Sequence, residues 1–454
     1  MSARRFHLRT FGCQMNVHDS EKVANLLAHE GFVPEPDPEL ADLLVVNTCS
    51  IRDKAEQRLY ADLGALRAWR ERRPGRLIGV GGCVAQQQGD ALLERFPQLD
   101  FVFGTHNLRL LPALVGAAAQ GRRRAETAER GDLERFELPG RHPALGRATP
   151  GRAFLTVMEG CDMFCSFCIV PLTRGREISR PAAAIVREAE ELAADGVAEI
   201  TLLGQTVNAY GRHDVRRGRT PSAGTTSFAA LLRRLAAIPG LRRIRYTSPH
   251  PIFFDEDLVA AHGELEALCP HVHLPAQSGS DSVLAAMRRR YRSDDLRALA
   301  ERLRAARPDL ALTTDLIVGF PGETDRDFED TLALVRDLGF ADSFSFKYSP
   351  RPGTAAAEQG GAPSDAMAQE RLEALQALQR SQTLAYHRSR VGGTTEVLVE
   401  GPSSHSGRPD LAGQRSGRDP WHRVVNLMTG AHPGEFVRVQ IADATPHSLI
   451  GLPA

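Results

Sequence analysis

Residues 161–168 read Cys-Asp-Met-Phe-Cys-Ser-Phe-Cys, and this segment constrains the fold and its chemistry more than any other part of the chain. Its cysteines, here called the loop triad (Cys161, Cys165 and Cys168), follow a candidate strand, and thiolates are soft ligands that suit zinc and iron–sulfur clusters. A structural zinc site needs a fourth protein ligand, and a [4Fe–4S] cluster usually takes four cysteines. A cubane held by this loop would therefore keep one iron without a cysteine, able to chelate the amino and carboxylate groups of a methionine-like ligand. The alternatives are a zinc loop completed by a distant histidine and a chance spacing.

Residues 151–350, which contain this loop, alternate between apolar strand patterns and amphipathic helix patterns. The candidate strands read AFLTVME, EITLLG, RIRYTS, HVHLPA, LTTDLIVG and SFSFKYS. Strands that alternate with helices in this way indicate a parallel sheet with helical crossovers. Because a complete β/α barrel needs eight such units, six units predict an incomplete (β/α)6 barrel.

A second set of three cysteines lies near the N-terminus, where strand–helix units predict an α/β domain with a parallel sheet. Cys13, Cys49 and Cys83, here called the N-terminal triad, each follow an apolar run and precede a helix pattern, at spacings of 36 and 34 residues. Loops at the carboxyl ends of parallel strands lie at one edge of a sheet, so we expect these cysteines to converge. They predict a second three-cysteine [4Fe–4S] site; the alternative is three unrelated buried cysteines.

The remaining segments complete the predicted organisation. The stretch 121–150 is rich in Arg, Gly and Pro and reads as a linker, and 363–390 has the pattern of a long polar helix. Beyond it, TTEVLVEG, RVVNLM and EFVRVQIADA read as short strands separated by turns, which predicts a small all-β barrel. The predicted boundaries are 1–120 for the N-terminal domain, 121–150 for the linker, 151–385 for the incomplete barrel and 386–454 for the β domain.

The composition is that of a folded, soluble protein, because 42% of the 454 residues are apolar and 25% are charged, which excludes a disordered chain. The 56 basic and 56 acidic residues cancel, so a nucleic-acid partner would have to be held by local patches. Three arginine-rich runs offer such patches, although each could also be an ordinary solvated face: Arg122–Arg124, Arg216–Arg219 and Arg288–Arg290.

Nothing in the sequence predicts contact with a membrane. The N-terminus MSARRFHLRTFGC has no apolar signal region, and the longest apolar run, Leu110–Ala119, is ten residues long. A membrane span needs about 18 apolar residues. We therefore expect a cytoplasmic protein, and in that reducing compartment its seven cysteines are expected to act as metal ligands or thiols rather than to form disulfides.

The two triads and their surroundings resemble the methylthiotransferase family of radical S-adenosylmethionine (SAM) enzymes, and the resemblance covers nearly the whole chain. The C-terminal strands resemble the TRAM RNA-binding module. The segments that carry the resemblance read TFGCQMN, NTCSIRDKAEQR, GCVAQ, EGCDMFCSFCIVP, TRGREISRP, LLGQTVNAYG, HLPAQSGS and YSPRPGT. Among them, TLLGQTVNAYG points most to the bacterial branch of the family that acts on N6-isopentenyladenosine in tRNA.

The resemblance implies a two-part reaction. One SAM donates a methyl group to sulfur at a [4Fe–4S] cluster on the N-terminal triad. A second SAM is cleaved reductively at a [4Fe–4S] cluster on the loop triad, and the 5′-deoxyadenosyl radical removes hydrogen from C2 of the adenine ring of N6-isopentenyladenosine, next to the anticodon. A methylthio group then takes that position. The implied partners are tRNA and a low-potential electron donor such as flavodoxin or ferredoxin, and we expect a monomer.

Five further residues are candidates for contacts with SAM or substrate. Arg174 follows the loop triad, Gln205 and Asn208 follow the second strand of the predicted barrel, and Gln277 and Asp315 lie near the ends of the fourth and fifth. Ligands of β/α barrels sit at these strand ends. Ordinary loop charge and turns before helices account for the same residues equally well.

Two other functions are compatible with the sequence. One is a sister branch of the same family, which modifies threonylcarbamoyladenosine in tRNA or an aspartate of a ribosomal protein. The other is an iron–sulfur protein that binds RNA without catalysis. Such a protein would keep the six cysteines but would have no need for the incomplete barrel.

Overall fold

The computed structural model of the chain describes residues 3–50, 53–147, 149–212 and 224–454, without the side chains of 53–56. The chain divides into two compact units. The first comprises Met1–Arg147, Glu159–Asp162 and Ile169–Arg180; the second comprises Ala148–Met158, Met163–Cys168 and Pro181–Ala454. In the described ranges, no helix is both long enough and apolar enough to span a bilayer.

The first unit is built on a parallel sheet of six strands. The strands are β1 (Arg4–Phe11), β2 (Phe32–Pro34), β3 (Leu43–Thr48), β4 (Leu77–Gly82), β5 (Phe101–Phe103) and β6 (Arg124–Glu126). The helices are α1 (Gln14–His29), α2 (Asp53–Glu71), α3 (Cys83–Gln88), α4 (Asp90–Arg95) and α5 (Leu111–Ala119). The strand order is β2-β1-β3-β4-β5-β6, which confirms the predicted N-terminal α/β fold. Strand β6 comes from the segment expected to be a linker.

Strand β3 shows why the sheet is covered on both faces. Its sequence LLVVNT is buried at every position, and such an unbroken apolar run suits a strand that helices cover on both sides. Leu44 and Val46 pack into one hydrophobic core with α2, whereas Leu43 and Val45 pack into a second core with α1 and α5. The loops at the strand ends are therefore the parts of the sheet left for function.

The chain then passes through the short elements β7 (Arg152–Thr156), β8 (Met158–Glu159), α6 (Val170–Arg174) and β9 (Ile178–Ser179). The second unit continues with strands β10 (Glu199–Leu203), β11 (Arg243–Tyr246), β12 (His271–His273), β13 (Ala311–Val318) and β14 (Asp342–Lys347). Its helices are α7 (Ala182–Ala194), α8 (Phe228–Ala236), α9 (Glu256–Glu264), α10 (Asp281–Ala286), α11 (Ser293–Ala306), α12 (Asp325–Leu338) and α13 (Asp365–Ser389).

Six parallel strands form the centre of the second unit, as predicted. They are ordered β11-β10-β7 and β12-β13-β14. An isolated parallel bridge joins Ile244 of β11 to Leu268, which lies three residues before β12. On β13, Leu312, Leu316 and Val318 lie in the hydrophobic core with the surrounding helices. Because side chains alternate along a strand, Asp315 lies on the opposite face, away from that core.

The C-terminal strands close into a five-stranded barrel, which confirms the predicted all-β domain. The strands are β15 (Thr394–Pro402), β16 (Gln414–Arg418), β17 (Val424–Met428), β18 (Phe436–Ala444) and β19 (Leu449–Pro453), in the order β15-β16-β17-β19-β18. Inward-facing residues on β15, β17, β18 and β19, among them Val397, Val425 and Val439, form its small core.

A buried arginine joins this barrel to the β10–β11 end of the parallel strands. Arg245 on β11 donates hydrogen bonds to the backbone oxygens of Asp419 at 2.7 Å and Pro420 at 2.9 Å, just beyond β16. Its Nε lies 3.1 Å from Oε1 of Glu199, the first residue of β10, which is also buried. This ion pair balances the charge that the arginine brings into the interface.

Candidate functional site

The structure brings the N-terminal triad to one edge of the first sheet. Cys13 lies two residues beyond β1, Cys49 follows β3 directly, and Cys83 follows β4 as the first residue of α3. Gly12 has a φ of +131°, and a β-carbon at this position would collide with that of Cys49. Glycine therefore allows the β1 loop to approach its neighbour as closely as it does.

The side chain of Cys49 lies between those of Cys13 and Cys83 and contacts each of them. The thiol of Cys49 forms hydrogen bonds with Cys13 and Cys83, which lowers the pKa of Cys13 to about 6 and of Cys83 to about 7 and raises the pKa of Cys49. No group of three or more His, Cys, Asp or Glu side chains in the described ranges already has a metal-ligating arrangement. Thiolates that meet in this way still match the soft donor set of an iron–sulfur cluster.

A buried positive charge stands beside this triad. Helix α6, which ends at Arg174, packs against α3, which begins at Cys83. Arg174 is buried, and its Nη2 donates to Oδ2 of Asp19 at 2.6 Å. Its buried Nη1 has no hydrogen-bond partner among the residues that the structure describes. The guanidinium further lowers the pKa of Cys13 and Cys83. The sequence suggested that Arg174 contacts SAM or substrate; the structure places it beside the N-terminal triad.

Further charged side chains of the first unit lie next to the Arg174–Asp19 pair. Lys22 Nζ lies 3.9 Å from Oδ1 of Asp19 and 3.8 Å from Oε1 of Glu159, and Arg135 also pairs with Glu159. Although burial opposes its ionisation, Arg135 and Lys22 lower the pKa of Glu159 to about 2. Arg174, Lys22 and Arg135 carry three positive charges, and Asp19 and Glu159 carry two negative charges. This group of charged side chains therefore leaves one positive charge to face the thiolates.

The loop triad lies on the segment that passes between the two units along the chain. In the first unit, the backbone N–H of Cys161 donates to the oxygen of Gly175 at 3.1 Å. In the second, the N–H of Cys168 donates to the oxygen of Cys165 at 3.0 Å. Phe164 has a φ of +51°, which is strained for a non-glycine residue and turns the chain immediately before Cys165.

The second unit fixes Cys165 by contacts that the sequence did not reveal. The neighbouring Ser166 donates its N–H to the oxygen of Met287 at 3.1 Å and its hydroxyl to the oxygen of Ala286 at 2.8 Å. Arg289 Nη1 lies 3.4 Å from the sulfur of Cys165. Arg289 was one of the three predicted surface arginines in Arg288–Arg290, but it is buried.

A polar and aromatic face lies on β12–β14, opposite the hydrophobic core. Asp315 Oδ2 lies 3.2 Å from Nε2 of His273, and the ring of Phe344 meets the ring of His273 edge-on at 6.1 Å. Phe344 and Phe346 are 57% and 42% exposed, which is unusual for large aromatic side chains in a strand. The alternation of SFSFKYS is the signal that would have identified them.

The other three predicted contact residues lie at or near strand ends. Gln277 has a φ of +71°, and its backbone N–H donates to the oxygen of Asp315 at 2.8 Å. Asn208 is buried, and its amide forms two hydrogen bonds with the backbone of His250, at 2.8 and 3.0 Å. Gln205 is half-buried just beyond β10. Of the arginine runs, Arg216–Arg219 lies outside the described residues, and Arg122–Arg124 is exposed.

Family models match three regions of the chain. The model of the uncharacterized protein family UPF0004 matches residues 5–104, that of the radical SAM superfamily matches 155–335, and that of the TRAM domain matches 388–453. Fold and matches together define a radical SAM enzyme with an attached TRAM domain, whose chemistry uses an iron–sulfur cluster and SAM.

Curated relatives narrow this class. The chain is 48% identical to tRNA-2-methylthio-N(6)-dimethylallyladenosine synthase of Geobacter sulfurreducens over 98% of its own length and 96% of that protein. It is 49% identical to the protein of the same name from Geobacter metallireducens, over 98% and 97% of the two chains. The chain belongs to the family of tRNA-2-methylthio-N(6)-dimethylallyladenosine synthases, which confirms the resemblance seen in the sequence.

Solved structures share the fold at low sequence identity. The radical SAM methyltransferase TsrM from Kitasatospora setae, with cobalamin and a [4Fe–4S] cluster bound, is 16% identical, with a TM-score of 0.55 over 78% of this chain and 74% of that one. TsrM with tryptophan and a SAM analogue bound is 17% identical, with a TM-score of 0.57 over 78% and 75%. These likenesses concern the fold.

Proposed function

We propose that this chain catalyses methylthiolation of C2 of the adenine ring in N6-isopentenyladenosine of tRNA, next to the anticodon. The product is 2-methylthio-N6-isopentenyladenosine. The observation that carries the proposal is the identity of nearly half the residues, over almost the full length, with proteins named for this product. The contact of Cys49 with both other cysteines of the N-terminal triad supports it independently, because a radical SAM fold alone does not require them.

Each triad would hold one [4Fe–4S] cluster. The residues fit such groups by chemistry: each triad supplies three soft sulfur donors, and a buried arginine stands beside the N-terminal triad and another beside Cys165. When bound, the clusters supply the electron that cleaves SAM and the site at which sulfur is methylated. We further propose that SAM is used twice per turnover, as methyl donor and as radical source.

The chain's own residues would bind and orient the nucleoside. The exposed rings of Phe344 and Phe346 offer a flat apolar surface against which a base can stack. His273, held by Asp315, offers a hydrogen-bonding group on the same face. RNA recognition commonly uses loop bases that are splayed out of their stack, as an adenosine next to the anticodon can be. A closed surface around the base would also keep water from a reactive carbon radical.

The proposal includes partners and setting. The TRAM domain would bind the part of the tRNA that lies outside the incomplete (β/α)6 barrel. A low-potential donor such as flavodoxin or ferredoxin would supply electrons. We propose that the protein acts as a monomer in the cytoplasm.

Nucleoside analysis of tRNA from a deletion strain tests the function. We expect 2-methylthio-N6-isopentenyladenosine to disappear, N6-isopentenyladenosine to accumulate, and a plasmid copy of the chain to restore the product. Persistence of that nucleoside, with loss of a modification of threonylcarbamoyladenosine or of a ribosomal aspartate, would assign the chain to a sister activity. Purified protein that forms no 5′-deoxyadenosine from SAM and reductant would instead indicate a non-catalytic RNA-binding protein.

A metal count tests the two-cluster part of the proposal. Two cubanes require about eight iron atoms and eight sulfides per chain after anaerobic purification. A count of about four would leave only one of the triads as a cluster site.

A further inference from the structure

Arg289 is clamped in one orientation next to Cys165. Its Nε donates to the hydroxyl of Tyr291 at 2.8 Å, its Nη2 to the oxygen of Pro275 at 3.1 Å, and its Nη1 to the sulfur of Cys165 at 3.4 Å. The Tyr291 hydroxyl in turn lies 3.1 Å from the oxygen of Pro275 and 3.0 Å from that of Ala276, so the whole group is tied to the segment that follows β12.

The backbone is strained on both sides of Arg289, the one arginine of this run that points inward. Arg288 and Arg290 each have a φ of +58°, in the left-handed region that non-glycine residues rarely adopt, and both side chains are exposed. Arg289 between them is buried. Strain that persists at two positions around a single buried side chain indicates that its placement has a function.

The partners of Arg289 leave its charge without a carboxylate. In the described part of the chain, its hydrogen bonds go to a phenol, a backbone oxygen and a cysteine sulfur, and no ion pair with Asp or Glu accompanies them. A buried cation needs an anion close by. The Cys165 sulfur supplies that anion when it is a thiolate, which is the form that binds a metal.

We propose that Arg289 is a positioning residue for the radical cluster, which orients the Cys165 thiolate and raises the reduction potential of the cluster that it holds. The inference rests on the proposed function, in which the loop triad holds a [4Fe–4S] cluster. Reduction adds one electron, taken from a low-potential protein donor, and makes the cluster more negative. A buried cation that donates a hydrogen bond to a ligand sulfur stabilises the reduced form more than the oxidised form.

The test is a potentiometric titration of the full-length, anaerobically reconstituted protein. The radical cluster is identified as the electron paramagnetic resonance signal that is absent from the Cys165→Ala variant and that changes when SAM is added. We expect Arg289→Met to lower the ratio of reduced to oxidised cluster at least tenfold at the potential where half of the wild-type cluster is reduced, a shift of about 59 mV for one electron. Arg289→Lys, which keeps the charge, should recover most of this ratio. Arg288→Met changes the exposed and equally strained neighbour and should match the wild type.

Each remaining outcome decides the question. Arg289→Met with wild-type iron content and an unchanged midpoint overturns the proposal. If the Arg289→Met variant loses the cluster, the Arg289→Lys variant decides. An Arg289→Lys variant that keeps its iron and a near-wild-type midpoint potential supports the role of the charge. An Arg289→Lys variant that also loses its cluster shows that Arg289 is only a packing residue. A reduced protein whose signal does not respond to SAM in any variant contradicts the proposed function itself, and so separates that failure from a failure of the Arg289 inference.

Discussion

Arg174 and Asp19 form a buried ion pair in the first unit, with Nη2 of the arginine 2.6 Å from Oδ2 of the aspartate, although 155 positions separate them in the sequence. The pair stands next to the N-terminal triad, and the charge of Arg174 lowers the pKa of Cys13 and Cys83. The Nη1 of Arg174 has no hydrogen-bond partner in the described part of the chain, which leaves donor capacity for an anionic ligand of the site.

Arg174→Met should therefore weaken the N-terminal cluster site. We expect iron to fall from about eight to about four atoms per chain, because three thiolates and their cluster lose a buried counter-charge. Iron analysis measures this loss, together with the resonance signal that the Cys165→Ala variant retains. The control is Arg67→Met, since Arg67 is an exposed arginine of the first unit that pairs with Glu71. Equal iron in the two variants would show that the Arg174 charge does not hold the cluster.

The two triads should be separable by single substitutions. Cys165→Ala should abolish 5′-deoxyadenosine formation, because two thiolates hold a cubane poorly. Cys49→Ala should leave that formation intact but block methylthiolation, since Cys49 lies between the other two cysteines of its triad. Cys269→Ala serves as the control, because Cys269 belongs to neither triad. It is a buried thiol, and burial raises its pKa to about 11. If the Cys49 and Cys165 variants lost SAM cleavage equally while still folded, the division of labour between the triads would be wrong.

Phe344 and Phe346 should contribute to substrate binding. Replacing both with Ala should raise the KM for tRNA by about tenfold or more, since stacking of one base on an aromatic ring is worth about 1–3 kcal/mol. Cleavage of SAM without tRNA should change little. The control is Met367→Ala, which removes a side chain that is 42% exposed, like that of Phe346. An unchanged KM in the double variant would remove this face from the substrate site.

The buried Arg245 should contribute more to the stability of the second unit than the exposed Arg242. Arg245→Met removes the hydrogen bonds to the backbone oxygens of Asp419 and Pro420 and one of the arginines around Glu199, which keeps Arg152 at 3.2 Å. It should destabilise the second unit by about 2–3 kcal/mol. Arg242→Met breaks the ion pair between Arg242 and Glu396, whose side chains are 49% and 38% exposed, respectively. It should lower the free energy of unfolding by at most about 1 kcal/mol.

Urea unfolding measures this difference. The chain has two tryptophans, so in a Trp69→Phe background the fluorescence reports on Trp421 alone. Trp421 donates to the oxygen of Asp309 at 2.6 Å, which places the probe between the small barrel and the rest of the second unit. Equal shifts for the Arg245 and Arg242 variants would contradict the assignment of the interface to the buried pair.

Much of the fold was predictable because local patterns repeat. The apolar run of β3 and the alternation of strands with helices after residue 151 depend on neighbouring residues, and both led to the observed parallel strands. The convergence of the N-terminal triad followed from a general property of parallel sheets. Strand β6 was not expected, because RAE has no strand pattern of its own and is held in the sheet by its pairing with β5.

The sequence by itself determined the cysteine spacings, the order of the elements and the family, since these depend on covalent order and on short-range periodicity. Only the tertiary structure decided which arginines are buried and what they face. Among Arg288, Arg289 and Arg290, identical side chains differ because the backbone turns one toward Cys165. Arg174, at the end of α6, meets Asp19 of α1 because the folded first unit brings together two residues that are 155 positions apart. Burial and pairing of charges depend on contacts between residues far apart in the chain, which no local pattern encodes.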